Sequence, residues 1–282
     1  MEAMMTQVGF VGLGMMGRPM AGNLVAKGVS LRTHDAAGQA IQGGEAVGLE
    51  GLAPCDTIIL MLPDSPAVAA VMEGLLPVLR PGALVIDMGS SVPAETRRWA
   101  AALEARGCAM LDAPVSGSVP KARAGTLAIM VGGAPADVAR ADALLRLMGE
   151  AIIPTGPVGS AHAMKALNNY VYAAGLLAVS EAALMAEAEG LDLNILAAVM
   201  NASSGRNIAT ETKLAQEIIT ARYAGGFQLG LMRKDLETAG RIAAGTGTAH
   251  ALLDLCRAQW GAAVERLGPK ADNTEIHRHL KG

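Results

Sequence analysis

Aromatic residues are nearly missing: two Trp, three Tyr and two Phe make up 2% of this 282-residue chain. That scarcity leaves no stacking platform for a run of nucleobases. Charge of one sign is missing as well. The net charge is −3 and no basic tract occurs, which argues against nucleic acid and an anionic membrane surface as partners. Cysteine is sparse. Cys55, Cys108 and Cys256 stand far apart with no C-x-x-C pair, so they read as small buried hydrophobes of a reducing compartment, and no clustered zinc ligands appear. Residues 1–7 carry neither a basic stretch nor a cleavable apolar segment. The longest apolar stretches are interrupted by Lys165, Asn168 and Glu181, so no membrane span of about 20 residues is expected. These absences together point to a cytoplasmic protein without a membrane partner.

What is present is core-forming material: 51% of residues are hydrophobic and 17% charged, the composition of a folded globular chain with room for two medium domains. The first half alternates short β-like runs at 8–11, 31–34, 57–62, 84–87, 110–111, 127–131 and 152–154 with helical patterns at 18–27, 67–78, 93–106 and 135–148. Such alternation predicts a doubly wound α/β sheet, parallel at least in its first part. The pattern changes at Gly156-Pro157. Beyond it apolar positions recur at helical spacing over 161–189, then over 192–201, 207–223, 229–245 and 250–267. The expected organisation is an α/β domain over 1–157 and an all-α domain over 158–282, joined by one long helix.

The strongest local signal is Gly9-Phe10-Val11-Gly12-Leu13-Gly14-Met15-Met16-Gly17, a strand running through G-x-G-x-x-G into a helix. Asp35 follows eighteen residues after Gly17, where the second strand ends. Each part has its physical reason in a dinucleotide site. Gly12 permits the tight turn, Gly14 lets backbone amides reach a pyrophosphate, and Gly17 lets the helix pack close to the strand. The helix N-terminus with Met15 and Met16 faces the phosphates with its partial positive charge. Asp35 accepts from ribose hydroxyls and repels an added phosphate, which favours NAD over NADP.

Other segments admit two readings each. Leu62-Pro63 ends a strand at the level of an adenosine pocket, or is an ordinary strand-to-loop proline. Ser90 and Ser91 follow Asp87; one can reach a nicotinamide ribose while the other caps the helix at Pro93. Ser116, Gly117 and Ser118 follow Asp112-Ala113-Pro114-Val115 in a loop of small residues that can present a hydroxyl and amides to a carboxylate. No G-x-S-x-G elbow supports a serine nucleophile there. Lys165 and Asn169 share one helix face. A lysine in a dry cleft can exchange a proton with a substrate oxygen, yet spacing alone also allows a solvated lysine and a helical asparagine. His162 reads as a local hydrogen-bonding or capping residue. Phe227 and Lys234, seven apart, are placed on one face of a helix.

Taken together these segments resemble the β-hydroxyacid dehydrogenase family, of 3-hydroxyisobutyrate dehydrogenase type, over essentially the whole chain. The likeness rests on residues 9–20, on Asp112-Ala113-Pro114-Val115-Ser116-Gly117, on Lys165-Ala166-Leu167-Asn168-Asn169 and on Lys234-Asp235-Leu236. It implies a Rossmann-type domain, a long interdomain helix and an all-α domain used for oligomerisation, in a homodimer or homotetramer. It implies an NAD-dependent oxidoreductase that interconverts a small 3-hydroxy acid and its semialdehyde. Lys165 matches the general acid/base, and Ser116, Gly117 and Asn169 the substrate binders, with Ser118 and Phe227 alongside. Ser90, Leu62 and Pro63 match cofactor positions, and Lys234 the lysine that closes over the cofactor. Three departures bear on the substrate: Ser118 replaces a second glycine, Ala161 stands where the lysine motif has glycine, with His162 just after it, and Lys121 and Arg123 add cations suited to a doubly charged or sulfonic acid. Tartronate semialdehyde or sulfolactaldehyde reduction and a non-catalytic dinucleotide sensor are the alternatives.

Overall fold

The computed structural model describes residues 7–282, so the reading of residues 1–6 lies outside it. The chain divides into two compact units, the first ending at Lys165 and the second spanning Ala166–Gly282.

The first unit runs β1 (Val8–Val11), α1 (Gly17–Ala26), β2 (Leu31–His34), β3 (Gly44–Ala46), β4 (Thr57–Leu60), α2 (Ser65–Leu75), β5 (Leu84–Asp87), α3 (Pro93–Glu104), β6 (Ala109–Asp112), β7 (Val115–Ser116), α4 (Ser118–Ala124), β8 (Leu127–Gly132), α5 (Pro135–Leu145) and β9 (Gly149–Gly156). Its sheet follows the order β3-β2-β1-β4-β5-β6-β8-β7, with β9 beside β8. The ladder from β3 to β6 is parallel, as expected. β8 then runs antiparallel to β6 and β7.

Alternation along the strands explains the two helical layers. Phe10, Ile59, Leu84, Ile86 and Leu111 point to one face, where Met20, Leu24, Ala122 and Leu145 of α1, α4 and α5 cover them. Val11, Ile58, Leu60, Val85 and Met110 point to the other, under Val68, Met72, Trp99 and Leu103 of α2 and α3. A period of two with both faces buried is what a doubly wound parallel sheet requires. Each fully buried Leu, Ile or Phe contributes about 1.5–3 kcal/mol.

The second unit holds most of α6 (Ser160–Ala188), then α7 (Leu193–Ala202), a π-helical stretch Ala209–Ile218, α8 (Leu229–Thr246), α9 (Ala251–Leu267) and α10 (Ile276–Lys281). Leu176, Leu214, Leu236, Cys256 and Trp260 form its core. Three expectations need correction. The helix expected over 207–223 stops earlier, because Ala221 and Tyr223 take left-handed φ values of 52° and 48°. The segment after Asp112 is not a plain loop: it forms β7 and α4, whose Pro120 sits in the first turn, where a missing N–H costs no helical bond. And α6 is, by length and composition, apolar enough to cross a membrane, with a window of mean hydropathy 1.4. The core helix of a folded domain meets the same criterion, and Ala173, Leu176, Leu177, Val179 and Ala183 of α6 pack into the helical core.

Candidate active site

The sheet order places its switch point between β1 and β4, and ligands of open α/β sheets bind beyond the strand C-termini at such points. The glycine loop lies there. Gly12 has φ +94°, and a Cβ on it would come within 2.4 Å of the Met61 carbonyl oxygen. A Cβ on Gly17 would come within 1.9 Å of the Gly12 carbonyl oxygen. A Cβ on Gly14 would meet nothing within 4 Å among the described residues. Two glycines are therefore demanded by the protein's own packing, while Gly14 faces open space that an approaching pyrophosphate can use. No side chain caps α1 and its first turn holds no acid; Arg18 N donates to the Gly14 carbonyl oxygen at 3.0 Å, so what the helix start offers an anion is mainly its partial positive charge. The loop thus fits a dinucleotide. Met15 forms its exposed tip, and Met16 is half-buried.

Asp35, just beyond β2, closes the loop from the side. Its carboxylate accepts from Leu13 N at 2.8 Å, and also from Ala37 N at 2.9 Å and Gln39 N at 3.3 Å. Burial by itself would raise its pKa; the amides of Leu13, Gln39 and Ala37 outweigh that and hold the carboxyl below its ordinary value. Its negative charge is therefore fixed at neutral pH. No Lys or Arg occurs over residues 36–43 to offset it. Leu62 is half-buried and Pro63 exposed after the end of β4.

Two buried aspartates end the next parallel strands. Asp87 and Asp112 face each other in register on β5 and β6 and are both fully buried. Asp87 accepts from Gly89 N at 2.9 Å and from the Ser91 hydroxyl at 2.7 Å, shaping the turn that carries Ser90. The expectation that one of the two serines caps α3 is corrected: the cap position falls to Val92, without a side-chain bond. The Ser91 hydroxyl answers the nearer need of a buried carboxylate.

Asp112 accepts from Gly159 N at 2.7 Å and His162 N at 2.8 Å, so it caps the start of α6. Lys165 lies one turn further along α6 and is 9% exposed. Beyond Asp112 the chain enters β7, where Ser116 pairs with Ala128. Gly117 has φ 142° and Ser118 φ 55°. The stem of Lys121 packs where a Gly117 Cβ would stand, 2.8 Å away. The solvated-lysine reading of Lys165 does not hold, because its side chain lies in a buried position. Lys121 and Arg123 are exposed.

In the helical unit Asn169 is buried and donates to the Asp235 carboxylate on α8 at 2.5 Å, while its own carbonyl oxygen accepts from Asn168 Nδ2 at 3.1 Å. Lys234 Nζ lies 3.6 Å from Asp235 Oδ1. Sequence reasoning did not assign Asp235 this role, because its partner is 66 residues away. Phe227 does not share a helix face with Lys234. α8 begins after Gln228, and Phe227 is held outside it, its carbonyl oxygen accepting from Asn273 N at 2.7 Å.

A doubly wound sheet with an open glycine loop at its switch point, followed by a helical unit, is a dinucleotide-binding class of fold. The family model for the NAD binding domain of 6-phosphogluconate dehydrogenase matches residues 7–156, and that for the NAD-binding domain of NADP-dependent 3-hydroxyisobutyrate dehydrogenase matches 159–280. The NAD-dependent L-serine dehydrogenase of Pseudomonas aeruginosa is 38% identical over 82% of this chain and 83% of its own length. The mitochondrial 3-hydroxyisobutyrate dehydrogenase of Homo sapiens is 36% identical over 98% of this chain and 87% of its own. The structure of Mycobacterium tuberculosis 3-hydroxyisobutyrate dehydrogenase with L-serine aligns with TM-score 0.93 at 32% identity, covering 99% of this chain and 100% of that one. The chain belongs to the β-hydroxyacid dehydrogenase family, with 3-hydroxyisobutyrate dehydrogenase. It is an NAD(P)-dependent enzyme that acts on the hydroxyl group of hydroxy acids.

Proposed function

We propose that this enzyme oxidises the hydroxyl of a small 3-hydroxy acid to the semialdehyde, with Lys165 as general base and, in reverse, general acid. The observation that carries the reading is Asp112: one buried carboxylate ends the strand that leads into 113–117 and caps the helix that bears Lys165. NAD supplies the hydride acceptor when bound. Lys165 takes the hydroxyl proton as the C–H bond breaks, so that the alcohol loses two electrons and two hydrogens in all. Ser116 and Gly117 hold the substrate carboxylate, with Ser118 and Phe227 shaping specificity, and Asn169 orients the hydroxyl. Ser90, Leu62 and Pro63 contact the dinucleotide, and Lys234 closes over it. Residues 1–157 form the NAD domain and 158–282 the substrate and oligomerisation domain.

The anchored charge of Asp35 supports NAD over NADP. Oligomerisation is supported by apolar residues left exposed: Val171 at 68%, Ile195 at 64% and Val199 at 56%. Such surface on helices is what a second copy covers in a homodimer or homotetramer.

Lys165→Met tests the central assignment. Turnover should fall by about 10²–10⁴-fold while NADH still binds, as followed by its fluorescence. Undiminished turnover would remove Lys165 from the chemistry.

A further inference from the structure

His162 has no part in the reaction as set out above, yet it lies buried among polar side chains of the first unit. It is 1% exposed. Its backbone N–H donates to Asp112 Oδ2. Nδ1 bonds the Thr96 hydroxyl of α3 at 2.8 Å. On its two sides stand Asp87 Oδ2, 3.9 Å from Nε2, and Asp112 Oδ2, 3.9 Å from Nδ1. Thr96, Asp87 and Asp112 are themselves almost wholly buried.

A ring that merely filled space here would be better made of carbon. Burying an imidazole costs free energy unless it is bonded, and Nε2 makes no hydrogen bond among the described residues. What the ring does achieve is a junction. It joins α6 to α3 through Thr96. It also lies against the carboxylate that shapes the Ser90 turn and the carboxylate that leads to Ser116. Lys165 follows on the same helix, three residues on.

We propose that His162 is a positioning residue. Its imidazole fixes the first turn of α6 against α3 and the ends of β5 and β6, and so sets where Lys165 stands relative to the cofactor-side and substrate-side loops. The proposal rests on the reading of Lys165 as the proton-transfer group. A shift of about 1 Å in a reacting group can cost on the order of a hundredfold in rate, so the effect belongs in kcat.

The test is a double-mutant cycle on the full-length enzyme with its best hydroxy acid, reading kcat, the KM for NAD and NADH binding. His162→Ala should lower kcat by on the order of ten- to a hundredfold, leaving NADH affinity and the KM for NAD within about twofold. His162→Asn, whose amide can reach the Thr96 hydroxyl, should recover most of the rate. In a Lys165→Met background, His162→Ala should change the residual rate little, because the group it positions is gone. An unchanged kcat in His162→Ala overturns the proposal. So does an equal loss in both backgrounds, or joint loss of NADH binding and rate in both His162 variants. Full turnover by Lys165→Met alone would instead strike at the lysine reading, in an arm separate from His162.

Discussion

The acids at the strand ends of the first unit and Asn169 of the second are placed by different means. In the sheet unit, Gly12, Asp35, Asp87 and Asp112 all sit at or just past strand ends, where the parallel ladder has already fixed the backbone. The acids then bond to backbone amides: Gly89 N for Asp87, Leu13 N for Asp35 across 22 residues, and Gly159 N for Asp112 across 47; the local signal is the strand end that carries each acid. In the helical unit, Asn169 is placed by a side chain on another helix, Asp235. A site built on backbone geometry leaves a local signature in sequence. A site built on side-chain pairs does not.

The largest break in that comparison should come from the glycine loop. Gly17→Ala forces a Cβ onto the Gly12 carbonyl oxygen and should cost about 3 kcal/mol of stability, seen as a lower unfolding midpoint. A Gly14→Ala methyl meets no atom of the described residues within 4 Å. This variant should keep that midpoint and instead weaken NADH binding on the order of tenfold, about 1.4 kcal/mol. Equal behaviour of the two variants would undo the division between a packing glycine and a cofactor glycine.

Asp235→Ala carries the same question into the helical unit. It leaves the Asn169 amide buried without its acceptor, at a cost of about 1–3 kcal/mol. Urea unfolding should show it; an unchanged midpoint would mean the amide had found another acceptor. Asp35→Ser is a smaller change. Losing the bond from Leu13 N and the negative charge should weaken NAD by about 1 kcal/mol and improve NADP relative to NAD, read as the ratio of kcat/KM values. No change in that ratio would turn Asp35 away from the ribose.

The smallest effect concerns acid stability. Burial holds the His277 pKa below its ordinary 6.5. The unfolded chain then binds the proton first, so stability is full above about pH 6.5 and declines as pH falls toward the folded value. His277→Gln should flatten that decline, while the loss near pH 4 from depressed carboxyls such as Glu217, held down by Arg222, remains. A decline of unchanged shape in the variant would assign it to another group.

Legibility follows the same line. The glycine loop, Asp35, the strand ends and the 29-residue helix α6 were readable because turn chemistry and periodicity are local. β3 and β7 were not, being three and two residues long. α4 hid behind Pro120 and small residues. The misplacement of Phe227 came from extending a helical period past Gln228, where the backbone is extended. The roles of Thr96, His162 and Asp235 depend on partners 66 residues distant, and one sequence holds no record of those pairings.

The most direct test of the account is NADH formation by the purified enzyme over a panel of small hydroxy acids. The panel would hold 3-hydroxyisobutyrate, L-serine, glycerate, 4-hydroxybutyrate and threonate, with NADP run in parallel. The account predicts turnover with at least one 3-hydroxy acid, faster with NAD than with NADP. Clear NADH binding with no turnover of any 3-hydroxy acid in either direction would contradict it.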